Sequence, residues 1–280
     1  MTPHTAQQRE SPESPSADYT AERTDGLLVT RIYPSMAALG VAAARDFAAA
    51  LRSVLADRDE ASVIFACANS QLPFLQALRT RDDIEWGRVN VLHMDEYQGM
   101  SGDHSASFRR FLDEQLISWA HPLSFHQLAG DAVEPNREIE RYTALLDELD
   151  PSICVLGIGT NGHLAFNDPP ADFATTELVH LVTLDAACRR QQWEEGHFPT
   201  IDEVPTQALS LTTRALVKPR YVFCVVPEGR KAVAVRAAVE GPVSPNCPAS
   251  ILRTVPSARL YLDTDSGSLL SSLGPHRPPE

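Results

Sequence analysis

Short runs of aliphatic and β-branched residues alternate with helical stripes along most of this chain, which narrows its folds more than any other feature. Residues 27–33, 62–67 (SVIFAC), 88–94 (RVNVLHM), 152–159 (SICVLGIG), Tyr221–Val226 and Ala258–Asp263 each read as a strand. Between them, Met36, Leu39, Ala43, Phe47, Leu51 and Val54 recur at three- and four-residue steps, the period of one helix face. A helix follows from about 70 to 78, and Phe108, Phe111, Leu112 and Leu116 mark another. Ile139, Tyr142, Leu145, Leu146 and Leu149 mark a further one, with Pro135 suited to its first turn. A last helix is expected over 229–240. Strands alternating with helices predict an α/β fold, a mostly parallel twisted sheet with helices on both faces. One domain is expected over 26–265, with a disordered polar tail at 1–25 and a loose tail at 266–280.

Charge and cysteine usage narrow the function. The formal net charge of −13 opposes binding to nucleic acid or an anionic membrane, both of which need a broad basic surface. No run reaches the roughly 18 unbroken apolar residues of a membrane span. The start of the chain lacks the apolar core of a signal peptide. Cys67, Cys154, Cys188, Cys224 and Cys247 are odd in number and irregularly spaced, so neither a disulfide framework nor a zinc site is expected. A reducing, cytoplasmic setting fits. A homo-oligomer is left open, since no interface signature is visible.

In open parallel sheets the ligand crevice lies beyond the carboxyl ends of the strands. The residues just past each predicted strand are therefore the candidates. They are Asn69, Ser70 and Gln71; Asp95 with Glu96 and Tyr97; 157–170 (GIGTNGHLAFNDPP); and Arg230 with Lys231. Gly157, Gly159 and Gly162 also fit the dinucleotide fingerprint, which requires the third glycine to open a long helix. Pro169 and Pro170 leave too little chain for one, so no nicotinamide cofactor is expected, nor any other. The glycines serve better for close approach or positive φ. His93, Asp95 and His104 match no established metal spacing, and no metal is expected. Taken singly, Asp95 is as readily a cap or loop acceptor, His163 a structural histidine, Asp168 a turn residue and Lys231 a solvated charge. Cys67 reads as a small buried apolar residue rather than a nucleophile.

Together, HMDEY (93–97), HSASFRRFL (104–112), GIGTNGHLAFNDP (157–169) and PEGRK (227–231) resemble the glucosamine-6-phosphate deaminase/isomerase family, from about 60 to 265. The related 6-phosphogluconolactonases share the modified Rossmann-like fold. The resemblance implies an isomerising amino-sugar-phosphate deaminase, classed among hydrolases, that gives fructose 6-phosphate and ammonia. A lactonase-like hydrolase or a non-catalytic sugar-phosphate sensor are the alternatives. It implies that Asp95 removes the C2 proton and that His163 carries protons during ring opening. Asp168 and Asn161 would orient the imidazole, Asn161 standing where many members have Asp. Asn69, Ser70, Gln71, Gly159 and Lys231 would bind the sugar phosphate. The loop at 67–71 lacks the glycines usual there, and Gln192 stands where many members have arginine, which bears on substrate choice.

Overall fold

The computed structural model describes residues 19–194, 196 and 198–271. In chain order the main elements are β1 (Ala21–Asp25), β2 (Leu28–Tyr33), α1 (Met36–Asp57), β3 (Ala61–Phe65), α2 (Leu72–Arg79), β4 (Val89–His93) and β5 (Asp95–Tyr97). There follow α3 (Phe108–Leu112), a π-helical stretch (Asp113–Ile117), α4 (Ser118–Ala120), β6 (Ser124–His126), α5 (Pro135–Leu149) and β7 (Ile153–Leu156). The remainder comprises β8 (Val179–Thr183), α6 (Ala186–Glu194), β9 (Gln207–Leu211), α7 (Thr213–Val217), β10 (Tyr221–Val226), α8 (Ala232–Glu240) and β11 (Ala258–Asp263).

Eight strands form one sheet in the order β1-β2-β11-β10-β7-β3-β4-β6, and every pairing except β1–β2 is parallel. The central strands are buried along their whole length, and this is why they read as unbroken apolar runs. Alternate residues serve opposite faces. Val63, Phe65, Ile153 and Val155 join the core under α1 and α2, while Ile64, Cys154 and Leu156 join the core under α5 and α8. Phe47 of α1 anchors the first core, its ring centroid 5.7 Å from Phe74, 5.8 Å from Phe65 and 6.4 Å from Phe223. Truncating so enclosed a ring to alanine costs about 3–5 kcal/mol.

Two expectations about the termini are corrected. Residues 21–25, assigned to a disordered tail, form an edge strand that pairs in register from Ala21↔Ile32 to Asp25↔Leu28. Arg23 pins this strand through Asp25 (2.6 Å) and Glu240 (2.7 Å). At the other end Ser266, assigned to a loose tail, is fully buried and its N–H donates to Asp263 Oδ1 at 2.7 Å. Residues 1–18 and 272–280, also assigned to the tails, lie outside the described residues.

A second sheet was not anticipated. β5, β9 and β8 form an antiparallel three-stranded unit, with Asp95 opposite Ser210. One residue after β4 ends, the chain leaves the large sheet and enters this small one. Asp95 therefore sits where the two sheets meet.

Candidate active site

Asp95, Glu96 and Tyr97 occupy three successive strand positions, so the first and third share a face and the second points away. Glu96 is fully buried and turns towards α3. It accepts from Ser107 Oγ (2.6 Å) and from the backbone N–H groups of Tyr97 (3.0 Å), Arg109 (3.2 Å) and Phe108 (3.3 Å). Arg109 pairs with it at 3.3 Å and with Asp131 at 2.9 Å. The HSASFRR stretch is thus the counterpart of Glu96: its serine and the helix start supply donors to one carboxylate.

Asp95 faces the crevice and is 8% exposed. Burial, and after it the negative charge of Glu96, pushes its carboxyl well above the usual range. Its backbone is fixed by His93. Leu128 N–H donates to His93 Nε2 (2.8 Å), so the proton resides on Nδ1, which donates to the Asp95 carbonyl at 3.0 Å. Burial lowers the His93 pKa to about 3, and the ring stays neutral.

His163 rises from the loop after β7. Gly162 takes φ +89°, a conformation that favours glycine, and Gly159 is needed for close approach, because a Cβ there would fall 2.1 Å from His163 Nε2. Residues 157–178 run in turns and bends to β8, unlike a dinucleotide-binding helix start. Asp168 Oδ1 accepts from His163 Nδ1 at 3.1 Å and from Asn161 Nδ2 at 2.9 Å. Burial works against ionisation of Asp168, yet the hydrogen bond and charge of His163, with Asn161 and Cys188, outweigh it and hold its pKa below the usual range. An ionised Asp168 fixes the imidazole proton on Nδ1 and leaves Nε2 free to act on a ligand.

Asn161 is tied to the histidine on two sides: its Nδ2 donates to the same Asp168 Oδ1 that accepts from the imidazole, and its Oδ1 accepts the His163 backbone N–H at 3.1 Å. The AFN segment is anchored to β9: Asn167 Nδ2 donates to Leu211 O (2.8 Å), and Phe166 N–H donates to Ser210 Oγ (3.1 Å).

One crevice brings together Asn69, Ser70, Gln71, Asp95, Gly159, His163 and Lys231 of the expected residues. Asp168 and Asn161 stand behind the imidazole rather than in the lining. Lys231 is 4% exposed, and Arg230 beside it pairs with Glu228. Cys67 also lines the wall. Burial, with Asp95 and Glu96 adding to it, raises its thiol well above the ordinary value, as suits a small apolar wall residue. Arg189, near Gln192 in sequence, is committed elsewhere, donating to Ile201 O (2.7 Å) and Val204 O (3.1 Å).

Sequence reasoning missed the links through α6. Gln192 lines the crevice, and its Oε1 accepts from Tyr97 Oη at 2.6 Å. Cys188, one helical turn earlier, lies against Asp168. Two residues four apart on one helix face were the available signal.

Parallel strands whose carboxyl ends surround a polar crevice, lined both by a raised carboxyl and by an imidazole held by a second carboxylate, define an α/β enzyme site of the proton-transferring kind. The chain belongs to the glucosamine-6-phosphate isomerase/6-phosphogluconolactonase family, whose sequence pattern matches residues 34–261. It is 33% identical to a glucosamine-6-phosphate deaminase of Exiguobacterium sibiricum, over 68% of this chain and 74% of that protein. A Listeria innocua glucosamine-6-phosphate deaminase is 32% identical over 70% of this chain and 82% of its own. Among solved structures, a monomeric glucosamine-6-phosphate deaminase superposes with TM-score 0.78 at 26% identity, covering 86% of this chain and 99% of that one. A 6-phosphogluconolactonase from Thermotoga maritima shares the fold, with TM-score 0.69 at 18% identity, over 84% of this chain and 99% of its own.

Proposed function

We propose that this protein is an isomerising deaminase of glucosamine 6-phosphate, which takes up water and yields fructose 6-phosphate and ammonia. The observation that carries the reading is that Asp95 and His163 open onto one crevice from two different strand ends, the imidazole steadied by an ionised Asp168.

The steps follow from those groups. His163 Nε2 takes the proton of O1 and delivers it to O5 as the pyranose ring opens. Asp95 then removes the C2 proton, leaving an enolamine, and returns a proton to C1. The resulting C2 imine adds water and expels ammonia, giving the ketose. A buried carboxylate whose pKa is raised is a stronger base than one in water, which suits the abstraction of a carbon-bound proton. Lys231 supplies positive charge to the phosphate, with Asn69, Ser70, Gln71 and Gly159 completing the wall. A phosphorylated sugar is retained by its charge in the cytoplasm, and five unpaired cysteines suit that compartment. Among the described residues no helix is long and apolar enough to cross a membrane.

Purified protein given glucosamine 6-phosphate should release ammonia and fructose 6-phosphate in equal amounts. Folded protein with no release above background would overturn the proposal. Acid release from 6-phosphogluconolactone without ammonia from the amino sugar would replace it with the hydrolytic alternative.

A further inference from the structure

Gln71 is a polar residue of the crevice wall that the steps above leave without a task of its own, and it is only 1% exposed. Its Nε2 donates to the carbonyl of Val225 on β10 at 3.1 Å and to Ser70 Oγ at 3.2 Å. A carbonyl accepts only from a donor, so Val225 settles which end of the amide is which. Oε1 must take the opposite side, where it is buried with no hydrogen-bond partner among the described residues. An apolar side chain of the same length would avoid burying that oxygen. What the amide alone supplies is its pair of N–H bonds. Gly157 packs against the same group, and a Cβ there would come within 3.0 Å of Nε2 and 3.6 Å of Ser70 Oγ. The amide is therefore held from three strand ends at once.

The consequence falls on Ser70. A hydroxyl has one proton to give and lone pairs to receive with. With Gln71 occupying a lone pair, the Ser70 proton turns away from the amide, towards the crevice that Ser70 lines beside Lys231. We infer that Gln71 is a positioning residue for anion binding: it holds Ser70 Oγ as an acceptor, so that the Ser70 hydroxyl is committed to donate to the charged group of a bound sugar phosphate. This rests on the sugar-phosphate reading. It also gives the loop a donor of fixed direction where glycine-dependent backbone contacts are reduced.

The test compares Gln71→Leu, Gln71→Glu, Ser70→Ala and the double variant Ser70→Ala/Gln71→Leu. KM and kcat are measured for glucosamine 6-phosphate, and binding of fructose 6-phosphate and of fructose is measured by calorimetry. Gln71→Leu should raise KM about five- to tenfold, less than the loss of a whole hydrogen bond to a charged group because Ser70 keeps its hydroxyl, with kcat changed less than about twofold. Gln71→Glu should do more, because a carboxylate accepts from the Ser70 hydroxyl and turns its proton out of the crevice. In the Ser70→Ala background Gln71→Leu should add less than about twofold, since the donor it aims is gone. Equal factors for Gln71→Leu in both backgrounds, or a fall in kcat with KM unchanged, would overturn the inference. Should Gln71→Leu not fold, the equally long, uncharged Gln71→Met, alone and combined with Ser70→Ala, carries the same comparison. A wild type that binds fructose 6-phosphate no better than fructose would sink this assignment. One that binds it tightly but releases no ammonia would count against the deaminase reading alone.

Discussion

Asp95 and Asp168 carry the same carboxyl group, each largely withdrawn from water, yet their surroundings drive them in opposite directions. Asp95 lies within an unbroken run of buried residues and has the negative charge of Glu96 for a neighbour, so its anion is disfavoured. Asp168 sits in a turn where His163, Asn161 and Cys188 all face it, and these outweigh burial. Burial alone therefore does not say what a carboxylate is for. The donors around it decide whether it is a reactive base or a fixed charge that orients another group.

The contrast between the two carboxyls is greatest at Asp95. Asp95→Asn should cut ammonia release by on the order of 10³. It should also raise Tm at pH 7–8. The sign follows from linkage: a folded pKa above the unfolded value of 3.8 means folding is favoured below that value and penalised as pH climbs through the folded pKa. Asparagine removes the penalty, so its stability advantage should shrink as the pH is lowered towards 3.8. A variant that loses both activity and stability at pH 8 would contradict the assignment.

Asp168→Asn should have the second largest effect, a fall of about 10² in kcat with fructose 6-phosphate affinity nearly unchanged, because the imidazole loses its fixed tautomer. Its Tm should fall, in contrast to Asp95→Asn, and differential scanning calorimetry of the pair separates the two kinds of site. Lys231→Ala should raise KM about tenfold while kcat drops less, as a phosphate contact acts partly as uniform binding; steady-state assays against glucosamine 6-phosphate read it. The pH dependence of His93 is smaller. Its unfolded ring gains a proton near 6.5 and its folded ring only near 3, so wild-type stability should decline as pH falls through that window. His93→Gln should flatten the slope. The least effect is expected at Cys188, where Cys188→Ser preserves a donor towards Asp168 and Cys188→Ala does not; kcat should separate them by about two- to threefold.

Much of the large sheet was legible because its strands are buried on both faces and cannot alternate with polar residues. The expected strand at 88–94 appears as β4 (Val89–His93), and the run at 152–159 is strand only over Ile153–Leu156, since its glycines leave the sheet, Gly157 to pack against Gln71 and Gly159 against His163. The helix expected at 70–78 starts with a single tight turn, Asn69–Gln71, before α2. The small sheet was not legible. β5 is three residues long and built of Asp95, Glu96 and Tyr97, whose strand state is set by pairing with β9, more than a hundred positions away. Two carboxylates, which strands disfavour, followed by a single tyrosine give no local signal for such a pairing. The crevice was legible in outline because strand ends could be found. The roles of Tyr97, Gln192 and Cys188 were not, since the four-residue spacing of Cys188 and Gln192 marks a shared helix face without saying which strand or loop that face meets.

The move of the chain from one sheet to the other between His93 and Asp95 has a mechanical meaning. The groups proposed to handle the proton are mounted on separate platforms, with Asp95 on the small sheet and the loop of His163 springing from the large one. β9 braces both, through Ser210 opposite Asp95 and through its bonds to Phe166 and Asn167. Reach between these two side chains is thus a matter of alignment between layers. Substitutions in β9 that never meet a ligand can still lengthen or shorten that reach, and with it the rate.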